Sequence, residues 1–440
     1  MNSILQRFLG REFIPSFWVQ ITIVLFLYFG CSSLGILSST NGWTKLLLQE
    51  GQNFQHWDSI IYVSLALHPK CQAFYPLWPQ IIGLFNPSTL YEGLKYSFFI
   101  SNLMFIASLP CLLVILQRCI QSKWMSFSIL LLYALNPNSI FHSIGYTESL
   151  FSFFALTAIG ALIYSKNNLA NIVLGLSAVI MGVCRPSVVQ IVAASTFTCI
   201  CLYFTCGRNL KVFLATSKQY VVQSIILGLG SIIGYSIYGF SCLATTGNFL
   251  FPFQAQVQWG RTLSFKPLFL FLPRSLLNDL HGLYFPYILF LIVVILIYRF
   301  KNNNKIFAYI PSNPIIWLTL FYPPLAISIY SVQYFRMKKA GELIQYQISP
   351  KIQVLQTSYI FYFCISMALA NAAIGFLAAS ESMYSLARFV FATPWFFIAF
   401  GMISNVFDTV LTRKFVLGCI VVSSIGLIHQ WHNWGQDLWL

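Results

Sequence analysis

Eleven apolar runs, each long enough to cross a bilayer, constrain this chain more than any other feature. They lie near residues 15–37, 97–117, 125–141, 148–164, 168–184, 187–205, 219–243, 283–299, 358–379, 389–407 and 415–431. About 17–25 mostly apolar residues make a spanning helix. In hydrocarbon every backbone polar group must be satisfied within the protein, which favours the helix for each run. Charge is scarce to match, at 8% of residues against about 25% in an average soluble protein. The expectation is an all-α polytopic membrane protein, a bundle of about 11 transmembrane helices forming one domain over 1–440.

Two stretches depart from this pattern. Residues 39–96 form a long mixed segment with only short apolar pieces, and 311–331 is broken by Pro311, Pro314, Pro323 and Pro324. The first run follows Arg7 and Arg11 and is longer than the 7–15-residue apolar core of a signal peptide, so it reads as a retained span. With the N-terminus inside, 17 of the 25 Lys and Arg residues fall on the inner side and 7 of the 10 acids on the outer. That bias fits the retention of basic residues in the cytoplasm. It requires 311–331 to enter and leave on one side, which a Pro-broken re-entrant segment does. The net charge of +15 is dispersed between spans, so nucleic acid is not an expected partner. The 11 cysteines form no CxxC pair and lie mostly in apolar runs, where Cys acts as a small hydrophobe.

The outer acids draw attention first. His56-Trp57-Asp58-Ser59 precedes apolar residues too few to span, which suit a short interfacial helix anchored by Trp57. Asp58 at its start either caps the helix or acts as general base for a sugar hydroxyl at the bilayer edge. Glu148 in Gly145-Tyr-Thr-Glu-Ser149 has the same two readings: a first-turn acid behind an N-cap at Thr147, or a second carboxylate on the same outer ledge. Arg185, Arg261 and Arg388 stand on the outer side in apolar company. Each either snorkels to headgroups or offers its guanidinium fork to a lipid-linked phosphate. Gln256 and Trp259, with Gln254 and Gln258, supply amides and a ring suited to sugar. The six histidines are scattered and neither HExxH nor DxD occurs, so no metal site or other cofactor is expected.

Taken together and in order, these motifs resemble the PIG-V family, the GPI mannosyltransferase II type. His56-Trp-Asp-Ser59, Phe74-Tyr-Pro-Leu-Trp-Pro79 and Gly145-Tyr-Thr-Glu-Ser149 carry the resemblance, with Ala255-Gln-x-x-Trp259 and Ser385-Leu-Ala-Arg-Phe389 similar to further positions in bacterial members. The resemblance implies a GT-C-type bundle whose long first extracytoplasmic loop, here 39–96, carries part of the active site. It puts Asp58 in the catalytic position and makes Glu148 a site member. It implies a polyprenyl- or dolichyl-phosphate sugar donor and a lipid-linked or glycan acceptor among membrane lipids, with room for a small membrane subunit. The eukaryotic role is addition of the second mannose of the GPI core in the endoplasmic reticulum membrane. The compact loops and outer arginines look more like bacterial members, which act at the cell membrane.

The expected function is therefore an inverting membrane glycosyltransferase of mannosyltransferase type, working on the extracytoplasmic or lumenal face. Asp58 and Glu148 are the catalytic candidates, Arg388, Arg185 and Arg261 the phosphate ligands, and Trp57, Gln256 and Trp259 the substrate contacts. The rival is a multi-span transporter or lipid flippase, which calls for ionisable residues near the midplane and repeated halves.

Overall fold

The computed structural model describes residues 14–39, 57–164, 167–259, 261–265, 277–303, 305–308, 319, 322–347, 351–378 and 385–436. Helix α1 (Phe17–Leu37) is followed by the short α2 (Asp58–Leu67) and α3 (Leu77–Gly83), then α4 (Leu90–Cys119) and α5 (Lys123–Leu135). A 3-10 turn over Pro137–His142 leads to α6 (Glu148–Ile163), α7 (Asn168–Cys184), α8 (Val188–Thr205) and α9 (Leu210–Thr246). Single turns at Phe251–Gln254 and Ala255–Trp259 precede α10 (Leu277–Asn303), α11 (Pro323–Ala340), α12 (Lys351–Thr357) and α13 (Tyr359–Leu377). The chain closes with α14 (Leu386–Phe391), α15 (Trp395–Val406) and α16 (Val410–Gly435). Strands β1 (Lys305–Ala308) and β2 (Ile344–Gln347) make one small antiparallel pair with Lys305 opposite Gln347.

Seven described helices are long and apolar enough to cross a membrane: α1, α4, α8, α9, α10, α13 and α16. Helices α2, α5, α6, α7 and α15 are apolar but shorter, at 10–17 residues. The all-α polytopic expectation holds, while the expected 11 spans resolve into seven long helices and these shorter ones. Proline explains two of the shortened spans. The run 125–141 stops being α-helical at Leu135, because Pro137 has no N–H to give and pushes Asn136 out of the helical region. Asn136 Oδ1 then accepts from Asn138 N at 2.9 Å and starts the 3-10 turn. The run 389–407 divides in the same way at Thr393-Pro394, giving α14 and α15.

Helix α5 is buried from Trp124 to Leu135, whereas Trp18 and Phe26 of α1 and Ile225 and Phe240 of α9 are exposed. Apolar residues on both sides of a helix fit an outer face bathed in lipid. Packing runs in a closed circuit: α5 on α4, α4 on α6, α6 on α7, α7 on α9, α9 on α8, α8 on α13, α13 on α15, and α15 back on α5. Helix α1 packs against α16, α2 leans on α3 and α4, and the short α14 lies against both α10 and α13. Of the 39–96 segment, 40–56 lies outside the described residues. Within 311–331, residues 311–318, 320 and 321 also lie outside them, and Pro323-Pro324 opens α11.

Candidate active site

Four chain segments, each fixed by local chemistry, aim charged side chains at one point. Asp58 is the first residue of α2, after Trp57 with φ 28°. Glu148 is the first residue of α6, after the turn at Gly145. Arg185 follows α7, held extended because Pro186 bars a helical conformation before it. Arg388 lies in α14, which begins after Ser385 in the left-handed region at φ 67°.

Arg388 is the hub. Its Nη1 donates to Asp58 Oδ2 at 2.7 Å and its Nε donates to Glu148 Oε1. Arg185 Nη1 lies 3.2 Å from the same Glu148 oxygen. The Glu148 side chain is 0% exposed and that of Asp58 25%, so the two carboxylates differ in access. Burial works against the charge on Arg388, but Glu148 and Asp58 outweigh it and hold the guanidinium well above its ordinary range.

Rings complete the cluster. The Arg388 guanidinium lies 4.3 Å from the centre of Tyr146 and 5.0 Å from that of Phe141. Phe389 is shared by three cations, with Arg185 at 5.2 Å, Arg261 at 5.7 Å and Arg388 at 6.0 Å. Arg185 also faces Phe151 at 5.5 Å. Such faces stabilise a desolvated guanidinium by about 2 kcal/mol. Burial, with Asp58 beside it, pushes the Tyr146 hydroxyl well above its usual pKa and keeps it neutral, and the hydroxyl accepts from Asp58 N at 3.4 Å.

The turn that delivers Glu148 depends on Gly145. Its φ is +82°, and an added Cβ would come within 2.5 Å of Ser97 Oγ. Gly145 O accepts from Trp78 Nε1 at 2.8 Å, tying this turn to α3 and the Phe74–Pro79 motif. Around Glu148, the buried atoms Glu148 Oε2, Thr147 Oγ1 and Ser149 Oγ have no hydrogen-bond partner among the described residues. Buried polar atoms of this kind are rare and mark places where a polar guest belongs.

The first-turn placements hold, with Asp58 and Glu148 each opening its helix and Thr147 at the N-cap of α6, but side-chain capping does not occur. The N-cap of α2 is Trp57 and that of α6 is Thr147, and neither makes a side-chain capping bond. The Asp58 and Glu148 carboxylates turn to arginines instead. Nor do Arg185 and Arg388 snorkel, being 9% and 8% exposed. Arg261 is exposed and has no ion-pair partner among the described residues. Gln256 Nε2 donates to Ala73 O at 3.2 Å, so it braces the Phe74–Pro79 segment. Trp57 is 56% exposed, and the Trp259 side chain lies outside the described residues. Tyr146 and Phe389 stand inside motifs legible in the sequence, but nothing there showed that their rings would face arginines. Phe141 and Phe151 carried no signal.

Residues 31–246 match the family model described as mannosyltransferase (PIG-V). Three curated relatives carry the name GPI mannosyltransferase 2. The chain is 25% identical to that of Drosophila pseudoobscura pseudoobscura over 156 residues, 32% of this chain and 34% of the relative. It is 29% identical to that of Yarrowia lipolytica over 131 residues, 29% of this chain and 36% of the relative. It is 30% identical to that of Schizosaccharomyces pombe over 118 residues, a quarter of each chain. The matched stretches thus span about a third or less of these relatives' length. The three relatives are eukaryotic, against the lean towards bacterial members read from the compact loops. No solved structure matches the chain.

Proposed function

The stretch 31–246 makes this chain a relative of the PIG-V mannosyltransferases, and on that premise we propose that it transfers a mannose from a polyprenyl- or dolichyl-phosphate donor to an acceptor hydroxyl. The observation that carries the reading is the convergence of Asp58, Glu148 and Arg185, inside the matched stretch, with Arg388 and Arg261 from beyond it.

Charge balance supports a phosphate guest. Among the described residues three guanidiniums gather round Phe389 and two carboxylates face them, which leaves one positive charge over. A sugar phosphodiester carries one negative charge. Arg261, exposed and with no ion pair among the described residues, meets the incoming phosphate, and Arg388 Nη2 and Arg185 reach it from the buried side. Forked guanidinium donors suit phosphate oxygens.

Access divides the carboxylates. Asp58, partly exposed, takes the proton of the acceptor hydroxyl. The hydroxyl oxygen attacks the anomeric carbon as the carbon–oxygen bond to the phosphate breaks on the opposite side, so the configuration inverts. The leaving lipid phosphate gains negative charge where the arginines already stand, and preorganised donors of this kind contribute several kcal/mol in a dry site. Glu148, fully buried, holds Arg185 and Arg388 in register. The rival transporter reading wants ionisable groups near the middle of spans, whereas here they stand at helix starts and in short connecting elements.

The natural compartment is the endoplasmic reticulum membrane in a eukaryotic host, with a GPI precursor as acceptor, and the cell membrane in a bacterial one. The test is transfer of labelled mannose from dolichyl-phosphate mannose by the purified full chain, compared with Asp58→Asn. Transfer by the parent and none by the variant supports the reading. Absence of transfer from any lipid-phosphate sugar overturns it.

A further inference from the structure

Arg388 sits on a helix of six residues, Leu386–Phe391. A helix this short has no stability of its own in isolation. Its place, and therefore that of Arg388, is set by what packs against it. One neighbour supplies a specific device. Asp279, in the first turn of α10, is 3% exposed, and its Oδ1 accepts from Ala387 N at 2.8 Å. The N–H groups of Leu386 and Ser385 turn to the same carboxyl. These donors have no partner within so short a helix, and Ser385 makes no side-chain capping bond to them. Among the described residues no cation pairs with Asp279, so its carboxyl is met by backbone N–H groups, whose bonds are geometrically demanding.

One turn along α10, Gly282 supplies the second half of the device. A Cβ there would come within 2.7 Å of Ala387 Cα, 2.8 Å of Leu386 Cδ2 and 2.9 Å of Ala387 N. The backbones of α10 and α14 therefore meet with no room for a side chain. An acceptor and a bare backbone three residues apart, on one face of α10, grip the residues just before Arg388.

We infer that Asp279 is a positioning residue which, with Gly282, sets the register of α14 and so aims the Arg388 guanidinium at Glu148 and Asp58. Its importance for transfer rests on the mannosyltransferase reading above; its effect on the placement of α14 does not. Asp279 itself touches none of Asp58, Glu148 or the other arginines in any described contact, so it acts through the helix.

The experiment uses the purified full chain carrying Leu386→Cys, a position 1% exposed in the parent. Maleimide labelling at that site is read by peptide mass spectrometry, beside mannose transfer. Asp279→Ala is expected to make position 386 reactive and to lower kcat about 10²-fold, the usual cost of a misplacement near 1 Å. Gly282→Ala should do the same by steric displacement, and carries the test if the Asp279→Ala protein does not fold. Asp279→Asn keeps a carbonyl acceptor and should restore both shielding and turnover, since Asn and Asp cap comparably. Position 386 staying as shielded in Asp279→Ala and Gly282→Ala as in the parent would overturn the inference. Exposure of position 386 with no transfer by the parent would leave the positioning role standing and sink the proposed activity instead.

Discussion

Arg388 Nη1 and Asp58 Oδ2 meet at 2.7 Å across 330 residues of chain. The contact joins the start of an early short helix to a late one, and it occupies one oxygen of the proposed base. Burial of Glu148 behind the same arginine separates the two acids by access rather than by chemical type.

Replacing Asp58 with Asn should remove transfer at a smaller stability cost than a change at Glu148, because Asp58 is partly exposed and the Asn carbonyl can still accept from Arg388. Loss of a general base costs about 10²–10⁴ in rate, and the carboxylate makes no capping bond whose loss would be felt in stability. Turnover measured beside thermal unfolding of the same preparation decides the matter. An Asn variant with parental kcat would move the proton acceptor elsewhere.

Glu148→Gln should behave differently, because this acid is 0% exposed and bound by two arginines. Removing one partner from a buried charge cluster destabilises by about 3–5 kcal/mol. A clear drop in Tm together with lost transfer is expected, whereas Asp58→Asn should lose transfer with a smaller drop in Tm. Equal Tm values for the two variants would contradict the division of roles.

Arg261→Ala should raise the KM for the lipid-phosphate donor with little change in Tm, since this guanidinium is exposed and makes no ion pair among the described residues. Arg388→Lys keeps the charge but cannot bridge Asp58 and Glu148 with one planar fork, so both kcat and Tm should fall. Donor titrations at saturating acceptor separate the two patterns. A donor KM unchanged in Arg261→Ala would remove Arg261 from the phosphate site.

Gly145→Ala tests the turn that delivers Glu148. The φ of +82° and the 2.5 Å approach to Ser97 Oγ leave an added methyl group no room. A destabilisation of about 1–3 kcal/mol is expected from the backbone alone. Chemical denaturation in detergent would measure it, and a Tm at or above the parent's would show that the turn tolerates a side chain.

The excess of inner basic residues predicts that the segment around Gln345 faces the cytoplasm. A single reporter, Gln345→Cys, in sealed vesicles of known orientation gives the answer. Labelling by an impermeant reagent from the cytoplasmic side only is expected. Labelling from the opposite side alone would exclude the re-entrant path for 311–331.

What the sequence determined by itself was the solvent and the class of fold. Runs such as 97–117 and 358–379 are too long and too apolar for anything but spanning helices, because hydrocarbon leaves the backbone no other way to satisfy its polar groups. The motifs at Trp57-Asp58, Tyr146-Thr-Glu148 and Ala387-Arg388-Phe389 were also visible as places where charge stands in apolar company. Proline marked Asn136-Pro137 and Thr393-Pro394 as breaks only in hindsight, since neighbouring apolar residues outweighed them in any reading by hydropathy. The tertiary structure alone decided who meets whom. Each acid had a sufficient local explanation as a helix cap and each arginine as a headgroup anchor, because local chemistry is identical whether the partner is lipid, water or a residue 240 positions away, as Glu148 is from Arg388. Only the packing of α6, α7 and α14 buries these groups together, and burial forces opposite charges to pair, since an unpaired charge out of water costs more than the fold can supply. The same holds for Asp279, one acid among ten by sequence, whose role follows from a backbone N–H 108 residues away.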